Sequence, residues 1–248
     1  MTTLLAPAKL TWYLEIVGRR ADGYHELRSE MTTLALADEL TIDEAGDYVR
    51  VTNPFERPVP EGADNLVARA LALVGRRAGV RIDKRIPAGG GLGGGSADAA
   101  AILRWAGGVD AARALSLGGD VPFCQVGGRA LVEGVGERVS PLPFEARTVT
   151  LFIPEFGVST PACYHAYDEL YESGWRPTST NHLEEPARRV EPRLGTTLDW
   201  LRSRLGDVRL AGSGSTMFIE GAIEERPDVR DPAMRLRVLR TTTTPVGA

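Results

Sequence analysis

The chain has 248 residues, 43% of them hydrophobic and 25% charged, with 29 basic side chains against 33 acidic ones. This composition belongs to a globular protein of one large domain or two small ones sharing a cleft, and it excludes disorder as the main state. A net charge of −4 gives no general attraction to DNA, RNA or an anionic membrane, so any phosphate-bearing partner must be small and locally held.

Two counts stand apart. The basic residues divide into 27 arginines and only two lysines, Lys9 and Lys84, and glycine reaches 28. Pro7, Lys9 and Glu15 interrupt the apolar residues near the start, so neither a signal-peptide core nor a membrane span is expected there, and the protein reads as cytoplasmic. Cys124 and Cys163 have no CxxC spacing and read as small buried residues, while His25, His165 and His182 lie too far apart to spell a zinc site.

Strand signals bounded by Gly, Pro or Asp fall at Lys9–Val17, Glu39–Asp43, Tyr48–Thr52 and Val80–Ile86. A helix capped by Asp64 carries Leu66, Ala70, Leu73 and Val74 at helical spacing, and a second from about Ser96 turns Ala99, Ala100, Ile102 and Leu103 into the core. A strand at Arg129–Glu133 precedes Ser140-Pro141-Leu142-Pro143, a turn-rich segment that divides the chain into residues 1–142 and 143–248. Beyond it come a strand at Thr148–Pro154 and a helix opened by the Thr160-Pro161 cap and first-turn pair, reaching about Tyr171. Helices around His182–Val190 and Thr196–Leu205 follow, then strands at Val208–Ala211, Thr216–Glu220 and Leu236–Arg240, with Thr241–Ala248 a loose tail. The pattern is α+β.

The strongest local signal runs from Pro87 to Ala97: Pro87, Ala88, Gly89, Gly90, Gly91, Leu92, Gly93, Gly94, Gly95, Ser96 and Ala97. Six glycines in seven positions let backbone approach a bulky anion without interference from Cβ atoms, and the helix that follows offers unpaired N–H groups and the positive end of its dipole. Together they make a phosphate cradle. Residues 89 to 94 match GxGxxG, but they come more than eighty residues into the chain, after several strands, whereas a dinucleotide fingerprint closes the first strand of its unit. A Walker-type loop is excluded because Gly95-Ser96-Ala97 has no lysine.

The loop from Pro87 to Ser96 resembles the second motif of the GHMP small-molecule kinases, Pro-x-x-x-Gly-Leu-Gly-x-x-Ser. The resemblance extends in order along nearly the whole chain. It takes in Pro7-Ala8-Lys9, the stretch from Gly18 to Leu27 containing Gly23-Tyr24-His25-Glu26-Leu27, Asp64-Asn65-Leu66, Gly119-Asp120-Val121-Pro122-Phe123, Glu133 to Glu137, and Gly212-Ser213-Gly214-Ser215. It implies a two-domain GHMP kinase fold, a ribosomal-protein-S5-like α/β domain followed by a ferredoxin-like α+β domain, with the active site in the cleft. Residues 1–142 would form the ATP-binding domain and 143–248 the C-terminal one. It also implies ATP and Mg²⁺ as cofactors. The Gly-Tyr-His-Glu-Leu stretch implies as acceptor the 2-hydroxyl of a cytidine-diphosphate-linked methylerythritol, on the non-mevalonate route to isoprenoids. The alternatives are a kinase of the same family acting on mevalonate, a sugar or homoserine, and a nucleotide-binding sensor that keeps the fold without the chemistry.

Asp120 follows two glycines and precedes Pro122, a constrained turn on which a carboxylate can be aimed, and the resemblance makes it the catalytic base. Lys9, an ammonium kept in an arginine-rich chain, is expected to pair with it and to orient or polarise the acceptor hydroxyl. Lys84 reads instead as a residue of a solvated strand face beside Asp83 and Arg85. By resemblance Asn65 contributes to the adenine pocket, the loop from Pro87 to Ala97 holds the phosphates, and Ser96 offers its hydroxyl to Mg²⁺ or a phosphate oxygen while also serving as a helix cap. Tyr24 and His25 would bind cytosine, and Gly212, Ser213, Gly214 and Ser215 would bring backbone to the loop or the substrate. Thr11 stands where the family usually has Asn. The family's second cytosine-stacking aromatic is missing before Asn181, with Trp175 or Tyr171 as its candidate replacement.

Overall fold

The computed structural model describes residues 1–55, 57–223 and 235–247. Strands β1 (Thr2–Arg19) and β2 (His25–Asp43) are antiparallel neighbours, and each is far longer than the sequence suggests. Alternation fails to report their length because register shifts at Pro7/Lys9, Thr11/Tyr13 and Ile16/Gly18 reset which face each side chain meets, and Ala8–Trp12 are buried on both faces. On the far side of β2, β4 (Gly79–Asp83) pairs antiparallel with β2 and parallel with β3 (Tyr48–Thr52). The other part of β2 carries β5 (Arg129–Gly134), whose hairpin partner is β6 (Arg138–Pro141).

Helix α2 (Gly94–Trp105) packs on β1 and β2, with α1 (Leu66–Leu73) and α4 (Val121–Val126) against it, and α3 (Ala111–Leu115) beside α4. Ala99, Ala100, Ile102 and Leu103 are buried as expected. Two expected caps move. Asn65, not Asp64, caps α1 by accepting from Val67 N at 2.8 Å. Helix α2 opens two residues before Ser96, because Gly93 takes a left-handed conformation that turns the chain into the helix early.

In the second half, β7 (Thr148–Pro154) lies between β9 (Met217–Glu220) and β10 (Leu236–Thr244), with the short β8 (Arg209–Leu210) beyond β9. Helices α5 (Thr160–Glu172), α6 (Glu184–Val190) and α7 (Pro192–Leu205) cover a second core that contains Phe152, Leu198, Leu201 and Met217. Ser159 rather than Thr160 caps α5, and α7 begins four residues before the expected Thr196.

The expected loose tail is a correction of more consequence. Thr241–Thr244 complete β10, which pairs with β7 and, through Thr243 and Thr244, with β2, joining the strands into one ten-stranded sheet. A threonine run reads as polar, yet its branched side chains suit a strand. Its hydroxyls find partners here: Thr243 Oγ1 donates to Glu145 O at 2.7 Å, and Thr244 Oγ1 to Thr33 Oγ1 at 3.1 Å. Residue 248 lies outside the described residues. The expected boundary at residues 142 and 143 falls in the connection from β6 to β7. Among the described residues no helix is long and apolar enough to cross a membrane.

Candidate active site

The glycine loop is pinned from both halves of the chain. Lys9 N donates to Leu92 O and Thr216 N to Gly90 O, each at 3.0 Å, while Leu92 is buried. Glycine is required at the tightest points. Gly91 has φ +78°, and a Cβ there would lie 2.5 Å from Ala211 O; Gly93 has φ +69°, and a Cβ there would lie 2.8 Å from Lys9 Cγ. Gly93 puts no side chain on the start of α2, so the first-turn N–H groups remain free to meet an anion.

Lys9 is 5% exposed. Its Nζ donates to Thr11 Oγ1 at 3.1 Å and stands 3.4 Å from Asp120 Oδ2, at the start of α4. Gly212 closes this corner, since a Cβ there would lie 3.6 Å from both Lys9 Nζ and Thr11 Oγ1. The Gly212 turn is held by Asn181, whose Nδ2 donates to Leu210 O and Gly212 O at 3.0 and 2.7 Å. Ser213 Oγ lies 2.7 Å from Thr160 Oγ1 and Ser215 Oγ donates to Phe156 O at 2.6 Å, so both hydroxyls brace the turn.

Two cavities flank the loop. One, of about 550 Å³, is lined by Ser96, Asp120, Tyr24, His25, Tyr164 and Asp168 among others. His25 Nε2 sits 2.7 Å from Asp168 Oδ1, and its ring stacks on Tyr164 with centroids 5.0 Å apart. Tyr24 is 66% exposed at the mouth. Burial, with the Asp120 carboxylate nearby, pushes the Tyr164 phenol up, so this ring stays neutral. Tyr171 and Trp175 do not line the cavity; they pack against Tyr167 at 5.8 and 6.0 Å. The aromatic wall beside His25 is Tyr164. Thr160, Tyr164 and Asp168 are four residues apart on α5, a spacing that puts them on one helix face and could have marked them from the sequence.

The other cavity, of about 450 Å³, is lined by Phe55, Arg57, Pro87, Ala88, Gly90 and Ser215 among others. Arg57 spans it, Nη1 donating to Ala88 O at 2.8 Å and Nη2 to Glu155 O at 3.3 Å. Asn65 lines neither cavity: besides capping α1 it donates to Pro60 O at 2.6 Å, shaping the turn before the helix.

Lys84 is not on a solvated face. It is 5% exposed, and its ammonium is held between Asp38 and Asp98, with Nζ 2.7 Å from Asp98 Oδ2. Asp38 also accepts from the backbone N–H groups of Arg85 and Ile86. The trio thus ties β2, the segment entering the glycine loop and α2. Burial alone would lower the Lys84 ammonium, but the Asp98 and Asp38 carboxylates outweigh it and raise it. Burial pushes Asp98 up to about 7 against the pull of Lys84. Cys124 and Cys163 are free and buried, as expected, and burial pushes both thiols up to about 12.

Residues 65–128 match the family model described as the GHMP kinases N terminal domain. The 4-diphosphocytidyl-2-C-methyl-D-erythritol kinase of Paracoccus denitrificans is 38% identical, over 86% of this chain and 84% of that one. The protein of that name from Thermus thermophilus is 37% identical, over 90% and 88%. A crystal structure of 4-(cytidine 5'-diphospho)-2C-methyl-D-erythritol kinase superposes with a TM-score of 0.72 at 35% identity, covering 100% of both chains. A mevalonate kinase at 13% identity and a TM-score of 0.57 shares the fold. The architecture is that of the GHMP kinases. The chain belongs to the 4-diphosphocytidyl-2-C-methyl-D-erythritol kinase family of small-molecule kinases.

Proposed function

We propose that the protein transfers the γ-phosphate of ATP to the 2-hydroxyl of 4-diphosphocytidyl-2-C-methyl-D-erythritol, in the non-mevalonate route to isoprenoid precursors. The observation that carries this reading is Lys9 Nζ standing 3.4 Å from Asp120 Oδ2 where the glycine loop meets the cavity holding Tyr24 and His25. Asp120 accepts the hydroxyl proton as the alcohol oxygen bonds to the γ-phosphorus and the bond to the bridging β-γ oxygen breaks. Lys9, beside Asp120, fixes the hydroxyl together with Thr11; the loop from Pro87 to Ala97 and the open end of α2 hold the phosphates as negative charge redistributes. The cavity beside Arg57 and Ala88 takes the rest of the nucleotide, with Asn65 acting by shaping the turn next to it. Gly212 to Ser215 bring the second half of the chain against the loop and Lys9.

Mg²⁺ fits this donor set as an ion carried mainly by ATP. No cluster of three His, Cys, Asp or Glu side chains suited to a metal occurs among the described residues, whereas Ser96 lines the cavity beside Asp120. Such an ion keeps phosphate oxygens and waters as its main ligands, with Ser96 as the protein donor. When bound, it neutralises charge on the transferring phosphate. Residues 1–142 act as the ATP-binding domain and 143–248 as the C-terminal domain, in the cytoplasm, where ATP is supplied. The test mixes purified protein, ATP and Mg²⁺ with the cytidine-diphosphate alcohol, or with the same alcohol lacking cytidine. Phosphorylation of the first alone is expected; equal turnover of both contradicts the assignment of Tyr24 and His25.

A further inference from the structure

His25 is held more completely than a ring that merely packs against a base. A carboxylate oxygen can only accept a hydrogen bond, so the 2.7 Å contact of Asp168 Oδ1 requires the proton on His25 Nε2. The other carboxylate oxygen, Oδ2, is 3.4 Å from Arg19 Nη2, which satisfies its charge from the far side. Tyr164 stacks on the imidazole with an interplanar angle of 22°, and Tyr167 meets it edge-on at 5.7 Å, so the ring cannot rotate freely. Among the described residues no group bonds to Nδ1, and it is not a buried orphan, so it is left for a ligand in the cavity that His25 lines.

We infer that Asp168, backed by Arg19, is a positioning residue that fixes His25 as the Nε2–H tautomer, so that an unprotonated Nδ1 accepts from the exocyclic amine of cytosine and rejects the O4 carbonyl of uracil. This rests on the cytidine reading of the cavity above. Cytosine offers a donor at position 4 and uracil an acceptor, so a ring nitrogen that can only accept separates the two bases. Asp168 acts through His25, which it holds at 2.7 Å.

Asp168→Asn tests the idea with almost no change in shape. Arg19 can donate only to the amide oxygen, which turns the amide NH₂ toward Nε2 and moves the imidazole proton to Nδ1. The variant then presents a donor where the wild type presents an acceptor. For the cytidine-diphosphate alcohol, kcat/KM should fall about tenfold or more, almost entirely through KM, while KM for ATP stays unchanged. With the uridine analogue kcat/KM should rise, and titrations with cytidine and uridine 5′-diphosphate should show the same reversal in Kd. In Arg19→Gln/Asp168→Asn the amide is free to turn back, and the cytidine preference should partly return. Thermal denaturation checks that the variants fold, as expected for a half-exposed Arg19 and a partly exposed Asp168. A cytidine-to-uridine ratio that is unchanged in Asp168→Asn, or equal losses for both bases, overturns the inference while active wild-type enzyme leaves the cytidine reading standing. Wild-type enzyme that turns over neither compound removes both.

Discussion

Replacing Lys84 by methionine tests the trio beneath the glycine loop. Lys84→Met keeps the reach of the side chain and removes the ammonium, leaving Asp38 and Asp98 together with side chains 0% and 4% exposed. A buried charge stripped of its partner costs about 3–5 kcal/mol. In a chain of 248 residues each kcal/mol shifts the melting temperature by about 2–4 °C, so a fall of roughly 6–20 °C is expected. The loss should depend on pH with a definite sign. Asp98 is raised from 3.8 to about 7, so the folded state holds its proton more tightly than the unfolded chain does, and stability from this group declines as pH rises between those values. Without Lys84 the carboxyl is driven higher still, so the deficit should be larger at pH 8 than at pH 6. Lys84→Met/Asp98→Asn should recover part of the loss by removing a repelling charge, whereas Lys84→Arg should not, because a planar fork does not replace a compact ammonium between two carboxylates. Thermal unfolding by circular dichroism at the two pH values, with KM for ATP alongside, reads both effects. A melting temperature for Lys84→Met within about 2 °C of wild type at pH 8 refutes the reasoning, as does a double variant no more stable than the single one.

Asp120→Asn should lower kcat by about 10²–10⁴-fold and leave the Kd for ATP nearly unchanged, as measured by coupled turnover and nucleotide titration. Gly91→Ala forces a Cβ to within 2.5 Å of Ala211 O at φ +78°, and should cost about 1–3 kcal/mol in urea unfolding and raise KM for ATP. Tyr24→Ala removes an exposed ring, so stability should hold while KM for the cytidine substrate rises about tenfold and kcat stays level, consistent with the loss of one base stack.

The glycine loop was legible because its conformation admits almost one residue type, so composition itself reports the backbone. Asp120 was legible as a turn through its immediate neighbours, and Lys9 as an anomaly through the composition of the whole chain. What escaped depends on partners distant in sequence. Lys84 sits beside Asp83 and Arg85 in the chain, but its ion partners are Asp38, 46 residues away, and Asp98, 14 away. The bond between His25 and Asp168 spans 143 residues. Strand lengths were hidden by bulges in β1, and the end of β10 by a threonine run whose hydrogen-bond partners lie on β2 and near residue 145.

The scarcity of lysine has a spatial counterpart. A Cβ on Gly93 would strike Lys9 Cγ at 2.8 Å, and one on Gly94 would meet Lys84 Nζ at 3.2 Å, so the chain's only two lysines press on consecutive residues where the loop becomes α2. Their surroundings differ. Lys84 is neutralised by Asp38 on β2 and by Asp98 on α2. Its charge is therefore committed to holding the loop in place. Among the described residues Lys9 has one carboxylate within reach, Asp120, whose side chain is 32% exposed and lines the cavity, so its field remains available to the reacting groups. Arginine could not replace either in the same space: one position needs a point charge between two carboxylates, the other a slender stem passing Gly93. The loop is also bonded to the second half through Thr216 N and Gly90 O, which keeps Gly212 beside Lys9 and Thr11. A hinge between the halves would have to break that bond and draw Gly212 away from Lys9 and Thr11, while Lys9 and Asp120, both in the first half, would stay together.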